Sequence, residues 1–215
     1  PVEAIESIAI GTLNILEVIR LLNKPVRFYN AGSSECFGDT GDIPAIENTP
    51  FAPRSPYAVA KSTAKWLINS YRESYGLYAC TGILFNHESP LRPERFVTQK
   101  IIAGAAKIKA GQLDKLQLGN LDISRDWGWA PEYDQAMWLM MQLDKPDDFV
   151  IATGRKESLK YFVAKSFEYF DLDWQKYVEI EPSFFRPNEI SASVGNPEKA
   201  IKVLGWSKPT DIDGV

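Results

Sequence analysis

Two apolar runs of strand composition, Val26-Arg27-Phe28-Tyr29-Asn30-Ala31 and Ala79-Cys80-Thr81-Gly82-Ile83-Leu84-Phe85, each follow a segment whose apolar residues recur at helical spacing. Before the first run, Ile8, Leu13, Leu16, Ile19 and Leu22 fall on one side of a helix that Lys24-Pro25 ends. Before the second, a helix is expected from Ser55, with Pro56 in its first turn and Ala58, Val59, Ala60, Ala64, Leu67 and Ile68 on its buried side. Parallel strands need a crossover long enough to hold a helix. The order helix, strand, helix, strand therefore predicts an α/β fold on a parallel sheet.

A small polar turn, Gly32-Ser33-Ser34-Glu35, leads into a Gly/Pro-rich stretch to about Pro56 that reads as a surface loop. It leaves the carboxyl end of a strand, where such sheets place their chemistry. Beyond Asn86 the alternation is less regular. Helices are expected near Val97 to Ala110, Pro131 to Leu143 and Leu159 to Phe170, with a strand at Asp148 to Ala152. Gly111 to Gly119 resembles a pause between modules.

At 215 residues, 45% of them hydrophobic, the chain is long enough to bury a substantial core. Its net charge of -4 comes from interspersed charges, so no basic surface for nucleic acid is expected. Cys36, Cys80 and the single His87 have no metal-ligand spacing, which argues against a metal site and for a reducing compartment. No apolar run is long enough to span a bilayer and no leader pattern is visible, so a cytoplasmic protein away from membranes is the expectation.

The sharpest chemical signal is Tyr57-Ala58-Val59-Ala60-Lys61. Four residues apart on a helix, Tyr57 and Lys61 share a face, and an ammonium beside a phenol favours phenolate. Tyr57 would then serve as a general base near neutral pH. Taken alone, such a pair also arises on solvated helix faces. Here it follows a strand whose end displays Ser33 and Glu35 and precedes one that ends in Asn86-His87-Glu88. Ser34 has no nearby His and no G-x-S-x-G elbow, which excludes a serine hydrolase.

The strings SSECFG, PRSPYAVAK, GILFNHESP, FVTQKI, LGNLDISRDWG, AMWLM, DDFVIATG, FRPNEI and KAIKVLGW run in order across nearly the whole chain. The series resembles the GDP-mannose 4,6-dehydratases, a branch of the extended short-chain dehydrogenases/reductases. That resemblance implies a Rossmann-type doubly wound parallel sheet with a smaller C-terminal α/β substrate-binding domain. Residues 1–90 would be the C-terminal half of the NADP-binding domain with the catalytic residues, and 91–215 mainly the nucleotide-sugar-binding part. The implied reaction oxidises a GDP-sugar at C4, removes water across C5 and C6, and reduces C6.

In the family's terms, Tyr57 takes the C4 hydroxyl proton and Lys61 bonds the nicotinamide ribose. Ser33 bonds the C4 oxygen, and Glu35 removes the C5 proton and helps expel the C6 hydroxyl. A C4 ketone acidifies the C5 proton enough for a carboxylate to take it, so Glu35 separates a dehydratase from a mere oxidase or epimerase. The resemblance places Asn86, Lys100, Asn120, Arg125, Arg186 and Glu189 on the nucleotide sugar, and His87 and Arg92 on the cofactor, NADP or NAD. It also implies a homodimer or homotetramer. Blander readings stand beside these: His87 as a structural imidazole, Arg125-Asp126 as a buried ion pair, Glu198 and Lys199 as a solvated face, and Trp127, Trp129, Trp138 and Trp206 as core or interface anchors.

The sequence departs from the family in three places. No G-x-x-G-x-x-G turn precedes the first helix, so about 100 residues of the dinucleotide-binding half are expected to be missing. Pro93 follows Arg92, and the stretch from Val178 to Arg186 is short. These leave GDP-heptose open beside GDP-mannose. A nucleotide-sugar 4-epimerase or reductase, or an inactive fragment, remains the alternative.

Overall fold

The computed structural model describes residues 1–207 and 209–215. Helix covers residues 2–22, with a π-helical stretch at Ile5–Ile10 that periodicity does not foretell, followed by α1 (Gly11–Leu22). Asn23 ends it in the left-handed conformation. Strand β1 (Arg27–Ala31) pairs in parallel with β2 (Tyr78–Leu84), and β2 with β7 (Phe149–Ile151). The sheet order is β1-β2-β7. Between β1 and β2 lies α2 (Pro56–Tyr75). Ser55 caps it by accepting from Ala58 N, Pro56 opens it, and Gly76 closes it at a φ of 65° that a side chain would strain.

Helices cover both faces of this sheet. On one side Leu16 of α1 and Ile68 of α2 pack on Ala79 and Phe28. On the other, Tyr133, Ala136 and Met140 of α4 (Ala130–Met140), with Ala200 and Leu204 of α6 (Glu198–Leu204), pack on Cys80, Phe149 and Ile151. This is the doubly wound arrangement expected from the resemblance, seen here as three parallel strands.

A separate core lies under α3 (Val97–Lys109) and α5 (Leu159–Tyr169), where Ile101, Ala105, Leu116, Leu118, Val163 and Phe167 are buried together. The stretch Gly111 to Gly119 is no boundary: it contains β4 (Leu116–Leu118), packed in that core and paired with β9 (Val178–Ile180). Three further pairings carry residues of interest. Strand β3 (Asn86–Glu88) runs parallel to β6 (Trp127–Trp129). Strand β5 (Ser124–Arg125) lies between β8 (Glu157–Ser158) and β10 (Ala192–Ser193).

Several local expectations are corrected. The stretch after Glu35 to Pro56 is not a plain surface loop, since Cys36, Phe37 and Ala45 are buried in it. Its backbone is bonded to a distant segment: Thr40 N donates to Ala192 O, Ala45 N to Val194 O and Asn196 N to Ala45 O. Those partners are about 150 residues away, which is why local composition reads only a loop. Val59 faces solvent, because it lies opposite the stripe formed by Ala60, Ala64 and Ile68. Lys199 is not merely solvated: its ammonium donates to Asp148 O and pairs with Asp147, both at 2.8 Å. Trp127 and Trp206 are core residues, whereas Trp138 is exposed. Among the described residues no helix is long and apolar enough to cross a membrane.

Candidate active site

At the carboxyl end of β1 the chain turns through Gly32, whose N–H donates to Gly82 O, and Ser33 then caps a single 3-10 turn over Ser34–Phe37. Ser33 Oγ accepts from Glu35 N at 3.3 Å. The first turn of α2 meets this loop. Ser55 Oγ donates to Glu35 Oε2 at 3.2 Å, and Tyr57 stands two residues further on. The end of β1 and the start of α2 thus bring Ser33, Glu35 and Tyr57 together, as the spacing of the motifs anticipates.

The expected effect of Lys61 on Tyr57 is not what the structure shows. Burial pushes the Tyr57 phenol above its ordinary value; the Ser33 hydroxyl opposes this and the Glu35 carboxylate adds to it. The Lys61 ammonium is drawn instead to Ala31 O at 2.8 Å and lies 5.7 Å from the Tyr57 ring centroid. Sharing a helix face brings the two side chains close, and the ammonium bonds the Ala31 carbonyl. Burial also lowers Lys61 itself. The charge of Arg92 favours phenolate, but it is too weak to offset burial.

Arg92 is held on three sides. Its guanidinium pairs with Glu88 at 3.1 Å, donates to His87 O at 3.1 Å and lies 4.1 Å from the Phe96 ring centroid. Glu88 is buried and also accepts from Thr98 Oγ1 at 2.7 Å. His87 stacks on Tyr133 at 4.9 Å, and its Nδ1 is 2.8 Å from Phe85 O. A carbonyl only accepts, so Nδ1 carries the proton and Nε2 is left as an acceptor. Asn86 sits beside it on β3, paired with Trp127.

A second group assembles around Arg125 on β5. Its guanidinium donates to Glu189 Oε1 at 3.0 Å and to Ser124 O at 2.9 Å. Burial lowers Arg125, while the charges of Glu189, Glu35 and Asp39 raise it and that of Arg186 lowers it further. Glu35 therefore lies within electrostatic reach of both groups. The expected Arg125-Asp126 ion pair does not form. Asp126, just past the end of β5, bonds Thr153, Gly154 and Gly195 instead.

Two assigned residues are engaged locally. Lys100 Nζ donates to Gln117 O at 2.7 Å and lies over the Phe184 ring, and Asn120 Oδ1 accepts from Asp122 N. Sequence reasoning passed over Ser55, Glu88, Asp39 and the partners of Asp126. Only Ser55 carried a signal, as a hydroxyl just before Pro56, and it was read as a helix start rather than a partner for Glu35.

A sequence model of the family described as GDP-mannose 4,6 dehydratase matches residues 1–215. GDP-mannose 4,6 dehydratase 1 of Arabidopsis thaliana is 51% identical over 203 residues, covering 93% of this chain and 56% of that protein. The chain spans between 54% and 64% of the length of eight curated relatives it matches. In fold it is similar to dTDP-glucose 4,6-dehydratase from Bacillus anthracis in complex with NAD, with a TM-score of 0.87 at 19% identity over 97% of this chain and 64% of that one. It is also similar to RMD from Pseudomonas aeruginosa complexed with NADPH, with a TM-score of 0.86 at 21% identity over 96% of this chain and 69% of that one. With the motifs, the doubly wound sheet and the family match in agreement, the chain belongs to the GDP-mannose 4,6 dehydratase family.

Proposed function

We infer that the full-length protein converts GDP-mannose to the 4-keto-6-deoxy sugar by internal redox and loss of water. The observation that carries this reading is Glu35: a second acid/base held by Ser55 and close enough to Tyr57 to act on its charge. Oxidation at C4 asks the protein for one base, Tyr57, beside a hydride acceptor. Water loss needs a second group, one that takes the C5 proton and delivers a proton to the departing C6 hydroxyl.

The residues present fit a nicotinamide dinucleotide. Of the three donors on the Lys61 ammonium, Ala31 O takes one and leaves two for ribose hydroxyls. His87 offers an acceptor at Nε2, and Arg92 supplies a fixed cation. When bound, that cofactor supplies reversible hydride transfer. NADP is the form this reading favours, because the resemblance is to its users, and NAD-bound and NADPH-bound relatives both share the fold.

In this scheme Tyr57 takes the C4 hydroxyl proton while Ser33 holds the C4 oxygen. Glu35 then works at C5 and C6. Arg125 and Arg186 meet the diphosphate, for which a guanidinium presents a matched fork of donors, and Glu189 keeps Arg125 aligned. Asn86, Lys100 and Asn120 complete the sugar and nucleotide contacts. Residues 1–90 would bear the catalytic half of the cofactor domain and 91–215 mainly the substrate part. Assembly as a homodimer or homotetramer is part of the same reading.

The test is incubation of the full-length protein with NADP and GDP-mannose, with mass spectrometry of the nucleotide sugar. A product lighter by one water supports the reading. Unchanged GDP-mannose with a dehydrated GDP-heptose moves the substrate, and an isomer of unchanged mass moves the protein to the epimerase class.

A further inference from the structure

Asp126 is fully enclosed, with 0% of its surface exposed, yet among the described residues no cation pairs with it. Its partners are four uncharged donors. Oδ1 accepts from Thr153 N at 2.8 Å and Thr153 Oγ1 at 2.7 Å, and Oδ2 accepts from Gly154 N at 3.1 Å and Gly195 N at 3.3 Å. Burying a carboxylate this way is costly, and burial pushes its pKa up to about 6 despite the four bonds. The sequence neighbour Arg125 turns to Glu189.

Those four bonds join three separate pieces of chain. Asp126 stands at the junction of β5 and β6, Thr153 and Gly154 just beyond β7, and Gly195 just beyond β10. The same junction carries Arg125, and the segment leading into β10 carries Glu189. Strands β5 and β10 pair with Ser193 opposite Arg125. An amide in place of this carboxylate would accept at one atom only, and its NH2 would face a backbone N–H. The acceptor-only character of the carboxylate is therefore what the three segments require.

We propose that Asp126 is a positioning residue, locking the β5–β6 junction to the ends of β7 and β10 so that Arg125 and Glu189 are held in register for the diphosphate of a nucleoside-diphosphate sugar. This rests on the reading of Arg125 as a diphosphate ligand. Asp126 touches no substrate itself and acts through Arg125.

A double-mutant cycle on the full-length protein tests it, with GDP as the titrant in calorimetry and NADP titrated separately. Asp126→Asn is expected to weaken GDP binding about tenfold, and to add less than about twofold once Arg125→Met is present, because residues acting through one another are not additive. NADP binding should change less than about twofold in Asp126→Asn, a difference too small to report a general loss of fold. Independent, multiplying effects of the two substitutions overturn the proposal, as does equal weakening of GDP and NADP. Thr153→Val, which removes one donor and keeps the shape, is expected to show a smaller effect with the same coupling, and it serves where Asp126→Asn does not fold. Wild-type protein that binds no GDP overturns the nucleotide reading and this proposal with it. GDP binding lost in Arg125→Met but unchanged in Asp126→Asn and Thr153→Val overturns the positioning role alone.

Discussion

The hydroxyl of Ser55 donates to Glu35 Oε2 at 3.2 Å while accepting from Ala58 N at 3.0 Å, so one side chain caps helix α2 and holds the acid of the site. Replacing it with Ala removes both. Loss of an N-cap costs about 1 kcal/mol, which in a chain of this size lowers Tm by roughly 2–4 °C. Ser55→Asp separates the two roles. Aspartate caps well, so stability should return, but a second carboxylate repels Glu35 where the hydroxyl had donated to it, which should leave turnover low. Thermal melts and product formation, measured on both variants, check this. Full activity in Ser55→Asp would show that Glu35 does not need the hydroxyl.

Glu35→Gln keeps the shape of the side chain and removes its acid/base chemistry. Loss of a positioned general acid/base costs about 10²–10⁴ in rate. Water loss should fall by that amount, while the affinity for GDP stays near that of the wild type. Incubation in deuterated water gives a second reading, since exchange at C5 should disappear. Unimpaired dehydration in Glu35→Gln would show that another group takes the C5 proton, and turnover left intact without loss of water would point to an epimerase-like or reductase-like use of the site.

Much of this site was legible in the sequence because its parts are local. Ser33 and Glu35 follow a strand-like run, and Tyr57 and Lys61 open a helix with a visible cap. The parallel sheet was legible for the same reason: the spacing of apolar residues reports which faces must be buried. What stayed hidden depends on distant backbone. The partners of Asp126 are mostly main-chain N–H groups, which every non-proline residue carries, so no residue type announces them. The burial of Ala45 arises from pairing with Gly195, and composition cannot report a contact of that range. Helical spacing places the Lys61 ammonium beside the phenol, but spacing sets only where a side chain starts, and Ala31 O decides where the ammonium ends.

His87 is the single histidine of the chain, which makes its imidazole directly observable by ¹⁵N NMR. Burial lowers it from the ordinary value of 6.5; the Phe85 carbonyl opposes the shift and the charge of Arg92 adds to it. The fold therefore disfavours the charged ring. Its contribution to stability is present above the unfolded value and is lost as pH falls through 6.5 toward the folded one. The spectrum at pH 7 should show a neutral ring protonated at Nδ1, with a titration midpoint below 6.5. A midpoint above that value, or a proton on Nε2, would contradict the bond to Phe85 and the acceptor role offered to the cofactor.

Asp148 holds the sheet to α2 at some distance from the reacting groups. It accepts from both Arg72 Nη atoms, at 3.0 and 2.9 Å, and from Thr81 N at 2.8 Å, with the Lys65 ammonium 3.9 Å away. Lys65 is itself buried, so removal of the carboxylate strands two cations in an apolar setting. Breaking a buried pair by deleting one partner costs about 3–5 kcal/mol. Asp148→Ala should lower the urea midpoint accordingly, with little change in the slope of the transition. Replacing Arg72 and Lys65 by Met in the same protein removes the stranded charges, and the triple variant should recover part of the loss. If Asp148→Ala alone costs less than about 1 kcal/mol, the value typical of an exposed pair, water reaches Arg72 and Lys65 and the cluster is not a buried fastening between α2 and β2.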